Sequence, residues 1–145
     1  KVGKGGASSK SRAMHNIALS CRSTIIERTK KGIDVFLKKF VQYSSSYKKA
    51  KTEGKAASGR GKYSRAGINK NTSKVDLELG GSMLNGIKTK NNQYRAEVFT
   101  TTHGKIGYAH NNGLGNVPKR EWWGIGKNLR VKLNNMIKKA FTVTR

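Results

Sequence analysis

The side chains that could act as nucleophiles are few in this chain and are widely separated. Its single cysteine, Cys21, follows His15 by six residues. On one helix that spacing points the two side chains in different directions, and no acidic residue nearby could orient the imidazole as a base. We therefore interpret Cys21, which lies among apolar positions, as a buried filler residue rather than a reactive thiol.

The sequence also lacks the residue clusters that bind metals or nucleoside phosphates. His103 and His110 could meet across a hairpin, but no second cysteine or neighbouring carboxylate completes a metal site. The "HNN" at 110–112 invites comparison with nucleases, yet the 7 acidic residues are too dispersed for two-metal phosphodiester cleavage. The opening "GKGG" lacks the spacing and the Lys-Ser/Thr ending of a P-loop. We predict a protein that is not an enzyme and needs no cofactor.

The charge of the chain is its most unusual property. Its 145 residues include 31 Lys and Arg against 7 Asp and Glu, a formal net charge of +24. Self-repulsion on this scale destabilises a compact monomer unless an anionic partner neutralises it. Nucleic acid, an acidic membrane face and acidic neighbours in an assembly would all serve. Because no apolar run is long enough to span a membrane and no signal-peptide pattern opens the chain, we expect intracellular synthesis.

The N-terminal region changes character early. Residues 1–12 are basic and rich in Gly and Ser, so we predict a flexible arm there, followed by a single domain over residues 13–145. From about Ser11 the sequence predicts a helix that ends at Gly32. Its apolar face consists of Met14, Ile17, Ala18, Cys21, Thr24 and Ile25.

The middle of the chain gives a mixed signal. Apolar residues between 33 and 43 follow neither the helical nor the strand period, so the element type stays open there. Residues 48–74 carry nine Lys or Arg and one Glu, which predicts a long basic loop. That loop is either a charged surface insertion or a phosphate-contacting segment. Alternation at 75–79 predicts a short strand or an extended segment, and the pattern at 82–87 predicts a helical turn.

The remaining patterns complete an α+β fold. "QYRAEVFTTT" at 93–102 alternates as a strand does, and "KIGYAH" at 105–110 is its predicted hairpin partner. Apolar residues between Leu129 and Ala140 predict a second amphipathic helix. The predicted fold is thus a long N-terminal amphipathic helix and a C-terminal helix packed on a small antiparallel β-sheet, with a long basic loop.

The stretch "GYAHNNGLGNVPKREWWGIG", residues 107–126, combines flexible glycines with the most rigid side chains. Pro118 fixes its own φ and restricts the residue before it, which aims the segment that follows. Arg120 can fork two hydrogen bonds onto a carboxylate or carbonyl. If the segment is extended, Trp122 and Trp123 point to opposite sides, so one could fill the core while the other reaches a neighbouring subunit. The alternative is a core turn that keeps both indoles inside.

Five blocks, in order, resemble the motifs of phage virion-morphogenesis proteins, which are the tail-completion and head–tail connector components of long-tailed phages. They read "KKGID", "YSSSYKKAK", "VDLELGGSMLNGI", "GYAHNNG" and "VPKREWWGIG", and they span about residues 30 to 126. The matching residues of the first three blocks are Gly32, Ile33, Asp34, Tyr43, Ser44, Tyr47, Lys51, Asp76, Leu77, Gly80 or Gly81, Met83 and Leu84. Those of the last two are Tyr108, Ala109, Gly113, Val117, Pro118, Arg120, Trp123 and Gly124. The sequence departs from the family at His110, which comes early for the usual histidine, and at Trp122, where a smaller apolar residue is usual.

The resemblance implies a structural protein that works as a homo-oligomeric ring, expected to be a hexamer, at the neck or the top of the tail. It would be made in the host cytoplasm and would end in the virion, in contact with other neck, connector and tail-tube proteins and with no membrane. The predicted subunit or partner contacts are Tyr108, His110, Asn112, Gly113, Val117, Pro118, Arg120, Trp122 and Trp123. The predicted DNA-facing residues, which would neutralise phosphates without reading sequence, are Lys48, Lys49, Lys55, Arg60, Lys62 and Arg65.

Two other function classes stay open on the residues alone. A nucleic-acid-binding protein of ribosomal or nucleoid type would also explain the charge, the Gly/Ser-rich arm and the basic loop. A nuclease would require metal-dependent cleavage that depends on His110.

Overall fold

The computed structural model describes residues 5–53, 70–77, 82–101 and 103–142, and these form the α+β fold that the sequence predicts. In chain order the elements are α1 (Gly5–Lys30), α2 (Ser45–Thr52), α3 (Ser82–Asn85), β1 (Ile87–Asn91), β2 (Ala96–Thr100), α4 (Gly104–Asn112) and α5 (Lys127–Phe141). Helix α1 packs against α5 and against both strands. None of the helices in these residues is both long enough and apolar enough to cross a bilayer.

Helix α1 begins earlier than its sequence pattern indicates. Residues 5–12, which we predicted as part of a flexible arm, belong to the helix; residues 1–4 lie outside the described part of the chain. Near its start, the carbonyl of Ser11 accepts a hydrogen bond from the Asn91 side chain at 3.1 Å, which ties this end of the helix to the end of β1. Cys21 is buried on the apolar face, as predicted.

The end of α1 is at Lys30, and Gly32 follows with the positive φ of 75° that favours glycine. A Cβ on Gly32 would come within 2.8 Å of the Val75 carbonyl oxygen, so the segment around Val75 closes against this turn. The predicted helix stop is therefore confirmed, and the close approach gives a second reason for glycine at this position.

The sheet pairs different segments from those that the sequence indicates. The strand predicted within 93–102 exists as β2, but its antiparallel partner is β1, with Ile87 opposite Thr100. The segment "KIGYAH" is part of helix α4 instead of a strand. In the helix Gly107 faces the Trp122 ring, while Ile106 and Tyr108 are exposed. Alternation of apolar residues suggested a strand here, and packing against a distant tryptophan decided otherwise.

Residues 70–77 contain no strand, so of the two forms expected at 75–79 the short strand is wrong over its described part. Val75, Asp76 and Leu77 are all buried, and Leu77 has a φ of 52°. Three consecutive buried residues cannot follow the two-sided alternation of a strand. The helical turn predicted next is confirmed as α3, while Leu79, Gly80 and Gly81 lie outside the described residues.

The region of the predicted basic loop starts with a helix. Residues 48–52 belong to α2, whose N-cap Ser44 accepts a hydrogen bond from the backbone N–H of Tyr47 at 3.3 Å. Lys48 is half-buried and Lys49 is exposed on this helix. The other predicted DNA-facing residues, Lys55, Arg60, Lys62 and Arg65, lie outside the described residues.

The apolar core gathers side chains from most elements. Its buried members are Ile17, Cys21, Ile25, Phe40, Tyr43, Val75, Leu77, Met83, Leu84, Ile87, Trp122, Leu129 and Leu133. Helix α5 contributes through Leu129 and Leu133, four residues apart, which confirms the predicted amphipathic helix. Trp123 and Met136 pack against this core while partly exposed.

Candidate functional site

Helix α2 places the aromatic and basic residues of the second sequence block along one side. Tyr43 precedes the helix, and Tyr47 and Lys51 follow at intervals of four residues, so the three side chains lie one above another. The Tyr43 and Tyr47 rings are 4.8 Å apart between centroids and are tilted by 43°. The Lys51 ammonium lies 5.0 Å from the centroid of the Tyr43 ring, within the range of a cation–π contact.

A buried ion pair joins this helix to the segment before α3. The Lys51 ammonium lies 3.1 Å from Oδ1 of Asp76, and the two side chains are 0% and 3% exposed. The Tyr43 hydroxyl donates a longer hydrogen bond, 3.4 Å, to the same oxygen. Burying either charge alone would be costly, so each depends on the other and on its hydrogen bonds. The pair therefore links the second and third sequence blocks inside the protein.

Arg120, from a distant part of the chain, joins Tyr43, Lys51 and Asp76 to form one cluster. Its Nε donates to the Val41 carbonyl at 3.0 Å, and one terminal nitrogen donates to the Gln42 carbonyl at 3.4 Å. The guanidinium carbon lies 5.3 Å from the Tyr43 ring centroid. Arg120 thus binds carbonyls, as its predicted chemistry requires, but it does so within its own chain and is only 3% exposed. Almost none of its surface therefore remains accessible for the predicted contact with another subunit.

His110 belongs to the same cluster and does not meet His103. Its Nδ1 lies 3.2 Å from the remaining terminal nitrogen of Arg120, so a neutral imidazole would accept a hydrogen bond there. Burial, and then the positive charge of Arg120, lowers the pKa of His110 to about 4. His103 lies at the opposite end of the same helix, at the N-cap of α4. The two histidines therefore cannot form the cross-hairpin pair that we considered.

The pKa values of Tyr43, Tyr47 and Arg120 are all shifted in the direction that favours the neutral side chain. Burial is the main cause that raises the pKa of Tyr43, and the Asp76 carboxylate adds to it. Burial raises the pKa of Tyr47 as well, against the opposing charge of Arg120. The pKa of Arg120 itself is lowered, mainly by burial. Both phenols therefore stay protonated at neutral pH. Tyr43 donates a hydrogen bond to Asp76, and the two rings pack against each other.

A second buried arginine holds the tryptophan segment, and the sequence analysis did not identify it. Arg28 donates to the Trp122 carbonyl at 2.7 Å and to the Gly124 carbonyl at 3.3 Å. Arg28 lies on the apolar face of α1, three residues after Ile25. A basic residue on an apolar helix face was the signal in the sequence that could have identified it. Trp122 itself is 2% exposed, and its indole N–H donates to the Gly107 carbonyl at 2.8 Å.

The two tryptophans do not separate into a core residue and a free contact residue. Their rings lie 5.3 Å apart between centroids in an edge-to-face arrangement, and Trp123 is half-buried against the core. Trp122, one of the predicted subunit contacts, is buried inside the chain and fills the core, the role expected for one of the two tryptophans. Trp123 retains some accessible surface, and its backbone N–H is held by the Asn111 side chain at 3.0 Å.

The other predicted residues divide between the core and the surface. Of the motif residues, Leu77, Met83 and Leu84 are core residues, and Asp34 organises a turn described below. Gly113 ends α4 with a φ of 69° and lies against Lys119, which gives it a structural role. The predicted contact residues that remain at the surface are Tyr108, Asn112 and Pro118, with Val117 half-buried.

The contacts of the cluster lie within the chain: each of its cations contacts a carboxylate, a carbonyl or an aromatic ring of the same protein. Within the described residues no group of three His, Cys, Asp or Glu side chains could hold a metal ion. The fold and the cluster together define a small α+β protein with an ionic and aromatic centre. Comparison with protein-family models, with curated proteins and with solved structures gives no significant match to this chain.

Proposed function

We propose that this protein is a structural, non-catalytic virion component of a tailed phage. In this proposal it acts as a tail-completion, tail-terminator or neck subunit, and it assembles into an oligomeric ring at the head–tail junction around the DNA path. One observation carries the proposal: matching residues from three of the five sequence blocks converge in a single cluster, which His110 joins. Tyr43 and Lys51, Asp76, His110 and Arg120 are linked there by hydrogen bonds, ion pairing or ring contacts.

That convergence supports treating the blocks as one motif. Short blocks that matched by chance would have no reason to meet in space. Lys51 and Asp76 are separated by 25 positions, and Arg120 and Val41 by 79, yet these residues form direct contacts. A subunit of a rigid ring needs such internal cross-links, because it must keep its shape under load from its neighbours.

The outer surface suits the proposed position. A net charge of +24 is most easily tolerated beside packaged DNA, whose phosphates would neutralise Lys and Arg without any base-specific contact. Lys48 and Lys49 lie on α2 at or near the surface and retain their proposed DNA-facing role. Tyr108, which is 64% exposed, together with Asn112 and Pro118 would then form the contact with neighbouring subunits.

A sequence-nonspecific nucleic-acid-binding protein of ribosomal or nucleoid type is the second candidate. Helix α5 is compatible with it, because its 15 residues include five cations and no acidic residue. These are Lys127, Arg130, Lys132, Lys138 and Lys139, all exposed. Such a helix would bind phosphates along its outer side in a ribosome, on a chromosome or in a virion, so on its own it does not separate the two candidates.

The deciding experiment locates the protein. We expect mass spectrometry of density-gradient-purified phage particles to detect the chain in a fixed low copy number, and cryo-electron microscopy with a gold-labelled antibody to place it at the neck. The protein should be missing from tail-less heads or from isolated tails of assembly mutants. Its absence from particles, together with co-sedimentation with host ribosomes or nucleoid, would refute the virion proposal in favour of the second candidate.

A further inference from the structure

A groove lies between the end of α1, the turn at residues 33–39 and the start of α5. Phe36 and Leu37 form its outer apolar wall and are 64% and 59% exposed. Val35 and Leu129 also line it. Large apolar side chains that are left exposed together in this way often mark an interaction surface.

The turn that carries this wall is held in place. Oδ1 of Asp34 accepts hydrogen bonds from the backbone N–H groups of Phe36 and Lys38, each at 2.8 Å. The backbone N–H of Val35 donates to the Glu121 carbonyl at 2.9 Å, which fixes the turn to the tryptophan segment. Leu37 has a φ of 66°, a conformation that is unfavourable for leucine. The fold thus accepts strain at a position where the leucine side chain is largely exposed to water.

The opposite wall is polar and electropositive. Helix α5 starts there after Gly126, which offers no side-chain cap for the first N–H groups. No larger residue fits, because a Cβ on Gly126 would come within 2.1 Å of the Val35 carbonyl oxygen. The positive end of the α5 dipole therefore lacks a cap from its own N-cap residue.

The charges that line the same groove favour an anionic occupant. Arg28 lines it and is 7% exposed, and within the described residues its Nε has no hydrogen-bond partner. Lys31 and Lys127 also line the groove, against one carboxylate, Glu27. An anionic group in the groove would cap the helix and would face the positive charges of Arg28, Lys31 and Lys127.

A second copy of this chain is poorly suited to supply that group. The chain has 7 acidic residues, and most of those that the structure describes are engaged already, Glu97 beside Arg95 among them. Asp76 pairs with Lys51, and Glu121 pairs with Lys119. Asp34 is used by its own turn. Charge complementarity therefore favours a different protein as the occupant.

We propose that this groove binds an apolar peptide segment that carries a carboxylate, supplied by an acidic partner protein. The apolar side chains of the segment would cover Phe36 and Leu37, and its carboxylate would lie at the start of α5 beside Arg28. Only the identity of the partner, an acidic neighbour at the head–tail junction, rests on the proposed function. The chemistry of the groove does not depend on that function.

The test uses a fluorescein-labelled peptide that alternates leucine or phenylalanine with glutamate, and a twin peptide in which every glutamate is glutamine. Binding is measured by fluorescence anisotropy with the full chain. We expect the glutamate peptide to bind on the order of tenfold more tightly, with a preference that shrinks as salt is raised. In ¹H–¹⁵N spectra the Arg28 Nε–H and the amides of Asn128 and Leu129 should shift with the glutamate peptide.

Variants locate the binding. Phe36→Ser and Leu37→Gly should each weaken binding on the order of tenfold, because each removes exposed apolar surface that the peptide would cover. Leu37→Gly also relieves the positive φ, so its melting temperature should equal or exceed that of the parent and loss of fold cannot explain loss of binding. Tyr94→Ser is the matched control: Tyr94 is 78% exposed and does not line the groove.

Equal binding of the two peptides, or no binding by either, would overturn the proposal. Equal loss in Tyr94→Ser and Phe36→Ser would do so too, since binding would then be unspecific adhesion. These results are separable from the virion proposal: the peptide assay needs no particle, and a neck location would stand even if the groove bound neither peptide.

Discussion

The buried pair between Lys51 and Asp76 allows a demanding test of the fold. In Lys51→Met the side chain keeps its length and loses its charge, which leaves the Asp76 carboxylate buried with a weaker set of partners. Breaking a buried pair from one side costs about 3–5 kcal/mol. Against a total stability of about 5–15 kcal/mol for an ordinary domain, that is a large loss. At about 3 °C per kcal/mol for a chain of this size, the melting temperature should fall by roughly 10–15 °C.

The chain supplies its own matched control. Lys119 and Glu121 form a pair with a shorter nitrogen–oxygen distance, 2.9 Å, but their side chains are 59% and 34% exposed. Lys119→Met should therefore change the free energy of unfolding by no more than about 1 kcal/mol. The same substitution type at two pairs of similar geometry isolates the effect of burial.

A double variant separates the pair from its surroundings. If the loss in Lys51→Met comes from an uncompensated carboxylate, then adding Asp76→Asn should recover about 1–3 kcal/mol relative to the sum of the single effects. The measurement is urea unfolding at pH 7, followed by far-ultraviolet circular dichroism and by tryptophan fluorescence. The reasoning is refuted if Lys51→Met costs no more than Lys119→Met, or if the two single effects simply add.

Two further predictions concern His110 and Gly107. Because the pKa of His110 is lowered to about 4 from an ordinary 6.5, the unfolded chain takes up the proton first, so stability present above pH 6.5 should be lost as pH falls towards 4. His110→Gln should flatten that part of a stability-against-pH curve, and an unchanged slope would contradict the burial of the ring. Gly107→Ala should destabilise by about 1–3 kcal/mol despite the better helix propensity of alanine, because the new Cβ would lie 2.7 Å from the Trp122 ring. A higher melting temperature for this variant would show that Gly107 does not pack there.

The sequence predicted the fold class and several elements, but not all their bounds or partners. Helices α1 and α5 could be found because apolar residues at helical spacing are a property of the segment itself. The pairing of β2 could not, since β1 reads "IKTKN" and Ile87 is its only large apolar residue. Helix α4 was mistaken for a strand because Ile106 and Tyr108 alternate with the period of a strand, although both are exposed on the helix. Its conformation depends on Trp122, which is 15 positions away from Gly107.

The candidate site also divides into features that the sequence determines and features that depend on the tertiary structure. The sequence by itself determined the large positive charge and the chemistry available to Arg120 and the tryptophans. Only the tertiary structure decided that Arg120 and Trp122 bind within their own chain, that Arg28 joins them, and that Lys51 lies buried on Asp76. The physical reason is that helical periodicity is set by neighbouring residues, whereas the burial of a charge depends on partners that folding brings from distant parts of the chain.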